Sequence, residues 1–327
     1  MSKRDDFLAA LDCQRPLGAV PIWEIEFQAW DAASGRHVVL GREFEALTPP
    51  ERERALHANA EILLATCADL QYAALTTPNA YWHAAPGQLA YYVMPGDTRF
   101  AQLEILRRLA PRDLALVANA GGILGADYSE EFCVRLFEDP ESIDRQAEST
   151  LSGGLETARR FRDAGADVIM SASDIADNSG PFFSPTQMER WVYPYLDRWA
   201  DAIHALGLRC ILHTDGQLAR YMDRIAATRL DAIQAIDPVA GMDMRRTKDI
   251  VGDRLCLCGN IDCGLLLLGT PDEIYAATAH LLTTCKNDGG LVLGASNAVQ
   301  ADVPLANYRA MIRAWQDHGT YTEVAGP

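Results

Sequence analysis

Cys210-Ile211-Leu212-His213-Thr214-Asp215-Gly216 is an apolar run that ends abruptly in an imidazole and a carboxylate. A short apolar run of this kind reads as a buried strand, and on a strand positions i and i+2 share a face. His213 and Asp215 therefore project together while Thr214 points away. Taking two such groups out of water is costly. Metal binding, proton transfer or recognition of a polar ligand would repay that cost, and so would a plain His–Asp hydrogen bond closing a loop. The pair alone does not choose among these.

The segments on either side decide the fold. Upstream, Ser184-Pro185-Thr186-Gln187 is a capping box with proline at the first helical position. Met188, Trp191, Val192, Tyr195, Trp199, Ile203 and Leu206 follow at helical spacing, and Gly207 supplies a C-cap. Pro194 falls inside this pattern and is expected to kink it or split it in two. Downstream, 232–236 is the next apolar run. The same alternation recurs along the chain, with further strands read at 70–77, 114–120, 168–172, 255–258 and 291–293, and a weaker one at 89–94. Helices are read over 50–67, from the Thr270-Pro271-Asp272-Glu273 capping box to about Cys285, and from Val303-Pro304 onward.

Repeated β–loop–α units imply a parallel sheet covered by helices. Seven or eight units in roughly 300 residues favour an α/β fold of one domain, a single (β/α)8 TIM barrel with an N-terminal extension over about residues 1–65. An open doubly wound sheet would need a Gly-rich phosphate turn. Gly121-Gly122-Ile123-Leu124-Gly125 has the wrong spacing for the dinucleotide fingerprint, and no Walker-type Gly-Lys-Ser/Thr occurs.

Composition narrows the function classes. The 327 residues are 49% hydrophobic and 23% charged, ordinary for a globular protein with a large core. With 45 Asp+Glu against 29 Lys+Arg the formal net charge is −16, which would repel a phosphate backbone, so nucleic acid is not expected as a partner. No apolar run is long enough to cross a membrane and no apolar signal segment opens the chain, so a cytoplasmic location is expected. Eight scattered cysteines then read as reduced thiols. The one cluster, Cys256, Cys258 and Cys263, lacks the paired CxxC spacing of a closed structural zinc site.

Barrel enzymes build their sites where strands end. Those positions carry Asp174, Asp177 and Asn178 after the third run, then His213 and Asp215, then Asp237 before Pro238. Cys258, Asn260 and Asp262 follow the next run, and Ser296 and Asn297 the last. Near the start, Trp23 and Glu24 alternate within Pro21-Ile22-Trp23-Glu24-Ile25-Glu26-Phe27, and Tyr81-Trp82-His83 is an aromatic group suited to a lid. Singly, an Asp or Asn after a strand is explained by helix capping or an Asx-turn. Together, five polar strand ends favour a site. Trp23, Glu24, Tyr81, Trp82, His83, Asn178, Asn260 and Asn297 are its candidate substrate-binding residues. Two mechanisms suit it. His213, Asp215 and Cys258 could hold a zinc ion with an open position. Alternatively, Asp174, Asp177 and His213 could pass protons around a polar substrate without a metal, Asp215 being counted with them among the candidate catalytic residues. A serine triad is disfavoured, because no Gly-x-Ser-x-Gly elbow is present.

The order of these segments resembles the uroporphyrinogen decarboxylase superfamily, which includes methylcobalamin-dependent methyltransferases. Pro21-Ile22-Trp23, the stretch 173–185, His213-Thr214-Asp215-Gly216, the stretch 252–262, and 290–297 with Val303-Pro304 carry the match. The resemblance implies the barrel and, by analogy with the decarboxylase, a homodimer. The decarboxylase proper has an arginine-bearing segment after its Pro-x-Trp that clamps porphyrinogen carboxylates. Here that stretch is Glu24-Ile25-Glu26-Phe27-Gln28-Ala29-Trp30, and an acidic mouth would repel an acidic tetrapyrrole. The thiol-directed methyltransferases hold zinc through a His-x-Cys and a later cysteine. His213 matches, Asp215 replaces the first cysteine, and Ala295-Ser296 stands where the last would be.

Fewer thiolates leave a more Lewis-acidic metal, suited to polarising oxygen. The leading expectation is a methyltransferase component acting on a small methylated molecule, with methylcobalamin or another corrinoid supplied by a separate corrinoid protein. No Asp-x-His-x-x-Gly corrinoid motif is present. A metal-free decarboxylase or lyase on a non-porphyrin acid is the second expectation, and a non-catalytic small-molecule or corrinoid binding protein the third.

Overall fold

The computed structural model describes residues 2–77, 96–110 and 113–321. The Tyr81-Trp82-His83 group and the weak strand at 89–94 lie outside the described residues. Among the described residues, nine strands occur in chain order: β1 (Ala74–Thr76), β2 (Ala115–Asn119), β3 (Val168–Ala172), β4 (Ala176–Asp177), β5 (Gly180–Pro181), β6 (Arg209–His213), β7 (Ala232–Gln234), β8 (Cys256–Ile261) and β9 (Leu291–Ala295). Seven of them form one curled sheet in the order β1-β2-β3-β6-β7-β8-β9, parallel throughout. β4 and β5 make a small antiparallel hairpin over the loop after β3.

The N-terminal stretch completes the ring. Trp23 N–H donates to Leu293 O and Leu293 N–H to Pro21 O, each at 2.9 Å, while Ala73 N–H donates to Ile22 O at 2.9 Å. Pro21–Trp23 thus lies between β9 and the start of β1 in the place of an eighth strand. Gly294 permits this approach, since a Cβ there would sit 2.1 Å from Trp23 O. The region read as an extension therefore contributes part of the barrel wall.

Side-chain alternation along the strands sorts two cores. Ala74, Ala115, Val117, Val168, Met170, Ile211, Ala232, Cys256, Cys258 and Val292 point inward, and Phe7 and Leu11 of the helix Lys3–Leu11 plug the N-terminal end. Leu116, Ile169, Leu212, Ile233, Leu257 and Leu293 point outward to the helices. Followed to the C-terminal strand ends, the inward phase reaches Asn119, His213, Gln234 and Asn260. The barrel interior is apolar below and polar at its mouth.

The helix readings hold with local adjustments. Pro140–Ala164 and Pro271–Cys285 begin with proline in the first turn, and Pro49–Asp69 covers the span read as 50–67. Pro194 splits its helix as its missing N–H requires: a π-turn over Met188–Val192 precedes Tyr193–Ala205. β8 runs to Ile261, past the reading 255–258, because Gly259 and Asn260 stay in register with Leu293 and Gly294. All eight thiols are free. Among the described residues no helix is long and apolar enough to cross a membrane.

Candidate active site at the barrel mouth

The loops after β3 and β6 are stitched together backbone to side chain. Ser173 N–H donates to His213 O at 3.0 Å, and Ile175 N–H to Thr214 Oγ1 at 3.0 Å. Thr214 is thus turned away from its neighbours and buried, as strand alternation requires. Gly216 (φ 96°) packs so closely on Ala176 and Asp177 that a Cβ would lie 2.7 Å from their backbone. This stitching sets Asp174, His213 and Asp215 face to face. His213 Nε2 lies 3.9 Å from Asp174 Oδ1 and 4.0 Å from Asp215 Oδ1. The three ligand atoms all fall within 4.8 Å of one another.

Each member has a hydrogen bond that orients it; in His213 and Asp215 that bond leaves another atom facing the shared space, while in Asp174 the facing oxygen is itself the acceptor. Gln234 Oε1 lies 2.5 Å from His213 Nδ1, while the Gln234 amide nitrogen donates to Ala295 O at 3.0 Å and Ser296 O at 3.1 Å. Two carbonyl acceptors fix which end of the amide is nitrogen, so Oε1 accepts from Nδ1–H. His213 is therefore held with Nε2 aimed at the carboxylates. Asn297 acts likewise on Asp215: its Oδ1 accepts from Ala298 N–H at 2.7 Å, and its Nδ2 donates to Asp215 Oδ2. Asp174 Oδ1 accepts from Asp215 N–H at 2.9 Å.

The electrostatics follow from burial and like charge. The Asp215 carboxyl is pushed up to about 6, first by burial and then by Asp174 and Asp237, against the pull of His213 and Asn297. Asp174 is the exposed member and His213 the buried one. A buried imidazole with two carboxylates offers one nitrogen and two oxygens, a set that fits a divalent cation.

Other expected residues fall elsewhere. Cys258 points into the barrel interior in register with Gln234, packed among apolar side chains, and is not in the three-membered cluster; Asp174 stands there instead. Asp177 and Asn178 are exposed in the β4–β5 turn, where Asp177 Oδ1 accepts from Ser179 N–H at 2.7 Å. Asn260 donates to Ile236 O at 2.7 Å. Trp23 is inside the wall, its Nε1 donating to Thr76 Oγ1 at 2.8 Å.

Glu24 corrects the picture of an acidic mouth built from the Pro21–Phe27 stretch. It is 2% exposed and faces outward, accepting from Ala295 N–H at 2.8 Å and Tyr308 O–H at 2.8 Å. Trp23 is on the inner phase, so its chain neighbour must be on the outer one. The negative charge of the mouth comes from Asp174, Asp215 and Asp237. Gln234 is the residue that strand-end reading missed. Its signal was a lone amide inside the apolar run Ala232-Ile233-Gln234-Ala235-Ile236.

A closed parallel barrel with a polar cluster at the C-terminal ends of its strands is the plan on which barrel enzymes are built. Residues 33–318 match the family model described as uroporphyrinogen decarboxylase (URO-D), and the chain belongs to that family. It is 25% identical over 177 residues to the uroporphyrinogen decarboxylase of Syntrophotalea carbinolica, covering 53% of this chain and 48% of that one. It is 24% identical over 184 residues to the methylcobamide:CoM methyltransferase MtaA of Methanosarcina barkeri, covering 56% of this chain and 49% of that one. The chain spans about half the length of the curated relatives it matches. Among solved structures, a methyltransferase from Methanosarcina mazei superposes with a TM-score of 0.74 at 18% identity, over 97% of this chain and 99% of that one. That likeness fixes the fold.

Proposed function

We propose that the chain is a methyltransferase component that acts on a small methylated substrate or methyl acceptor at the barrel mouth. A corrinoid would be carried to it by a separate protein. The observation that carries this reading is the convergence of Asp174, His213 and Asp215, each oriented by a hydrogen bond, with their ligand atoms within 4.8 Å of one another. Such outer bonds are what metal-binding side chains require. The set fits zinc or a similar divalent cation through nitrogen and oxygen, and it does not reproduce the thiolate-rich form. A cation held there would act as a Lewis acid on the oxygen or nitrogen that bears or receives the methyl group.

The chain's own residues do the rest. His213, fixed by Gln234 through Nδ1, presents Nε2 to the cation. Asp215, its carboxyl pushed up to about 6 by burial, gives up that proton as the cation binds. Asp174, being exposed, meets the incoming substrate first. Likeness to the Methanosarcina barkeri enzyme supports methyl transfer, and a like identity to uroporphyrinogen decarboxylases supports the second reading below. One observation favours a second reading, a metal-free decarboxylase or lyase: a carboxyl raised to about 6 beside an imidazole is suited to acid–base work unaided.

The test incubates purified, zinc-loaded protein with methylcobalamin and candidate thiol, amine and methoxy compounds, following the corrinoid spectrum. Demethylation that His213→Ala abolishes is the expected result. Purified protein without stoichiometric metal, and with His213→Ala leaving activity unchanged, would overturn the reading. Release of CO2 from a carboxylic acid substrate would favour the second.

A further inference from the structure

We infer that the protein binds a second divalent cation, zinc, near the opposite end of the barrel wall, held by His204, Cys210 and Asp231. The three residues come from separate elements. His204 is in the last turn of the helix Tyr193–Ala205, Cys210 is the second residue of β6, and Asp231 immediately precedes β7. Their ligand atoms all lie within 4.8 Å of one another. His204 Nε2 is 2.9 Å from Asp231 Oδ2 and 3.8 Å from Cys210 Sγ. Ligands about 2.0–2.3 Å from a tetrahedral zinc stand roughly 3.3–3.7 Å apart, so small side-chain rotations admit the ion.

The surroundings suit a cation. Asp231 Oδ2 is oriented by the Cys210 N–H at 2.7 Å, the kind of outer bond that holds a ligand in place. The His204 and Asp231 side chains are 29% and 15% exposed, which opens a path for the ion and room for water as the fourth ligand. The neighbouring Arg209 is engaged by Asp12 through two bonds, at 2.5 and 2.9 Å, so its charge is matched away from the cluster.

Binding would exchange protons for the ion. The Cys210 thiol loses its proton to solvent and becomes a thiolate, and the His204 proton moves from Nε2 to Nδ1, freeing the Nε2 lone pair. One thiolate and one carboxylate then neutralise the two charges of the metal. Burial pushes the free thiol well above its ordinary range, so it is the cation that draws the thiolate out. The N-terminal face of a barrel serves stability, and this site would pin the helix Tyr193–Ala205 to β6 and β7.

The mouth cluster contains no sulfur, so cobalt separates the two sites. Metal-free protein is loaded with Co2+ and its near-ultraviolet thiolate-to-metal band recorded, with zinc stoichiometry and zinc-dependent Tm in parallel. The inference expects the band in the wild type and its loss in both Cys210→Ser and His204→Ala. The band should persist in Asp174→Asn and Cys258→Ser, and His204→Ala should bind one zinc fewer and lose the zinc-induced rise in Tm. No thiolate band in the wild type, or a band that survives His204→Ala and Cys210→Ser, overturns it. A band lost only in Cys258→Ser would also overturn it and place the thiolate at the mouth. His204 is partly exposed, so its variant keeps the test open if Cys210→Ser folds poorly.

Discussion

Replacing Gln234 with leucine removes the acceptor that fixes His213 while leaving every proposed metal ligand in place. Gln234 is 1% exposed and His213 6% exposed, so water cannot substitute freely for the lost amide. Without Oε1, Nδ1–H has no partner, and the ring loses both its orientation and its preference for an Nε2 lone pair. Losing such an outer bond typically weakens metal binding by about 10–100-fold, or about 1.4–2.7 kcal/mol. The Ala295 and Ser296 carbonyls lose donors as well, at about 1–3 kcal/mol for each group left buried and unpaired, so a drop in stability accompanies the effect. Gln234→Glu separates the two contributions. It keeps an oxygen toward His213 but sets the other against two carbonyls, where it must hold a proton and donate it. Competition with a chromophoric zinc chelator, on protein shown by circular dichroism to be folded, should rank affinity as wild type, Gln234→Glu, Gln234→Leu. A folded Gln234→Leu protein that binds zinc within twofold of wild type would refute the argument that Nδ1 is the anchor.

Three further outcomes follow from the same structure. Zinc binding at the mouth should fall about tenfold per pH unit below about 6, because a proton and the cation compete for Asp215; Asn297→Ala removes a bond that lowers the carboxyl and should move that midpoint upward. Glu24, pushed up to about 8 by burial, holds its proton in the folded state well above the ordinary 4.5. Its contribution is therefore most favourable below about 4.5 and is lost as pH rises through 8, a span worth on the order of 5 kcal/mol, and urea denaturation of Glu24→Gln should show that slope flattened. Gly294→Ala drives a methyl group into Trp23 O where the ring closes and should cost about 1–3 kcal/mol or more, read as a lower Tm.

Much of the fold was legible because barrel strands are local objects. The run 168–172 coincides with β3, and the capping boxes at Ser184 and Thr270 mark real helix starts, since the bonds that define them span three residues. Pro194 announced its own break for the same reason. The closing segment Pro21–Trp23 was not legible as a wall element. It is three residues long, and its partners, Ala73 and Leu293, are about 50 and 270 positions away.

The site divides along the same line. Sequence alone placed His213 and Asp215 on one face, because strand periodicity is a property of the backbone, and it marked Asp174 as a polar strand end. It could not say that Asp174 rather than Cys258 completes the cluster, that Glu24 turns away from the mouth, or that Gln234 holds His213. Each of those depends on register between strands, and a shift of one residue would exchange inner and outer faces. That register is set by the packing of the whole barrel, so the tertiary structure alone decided it.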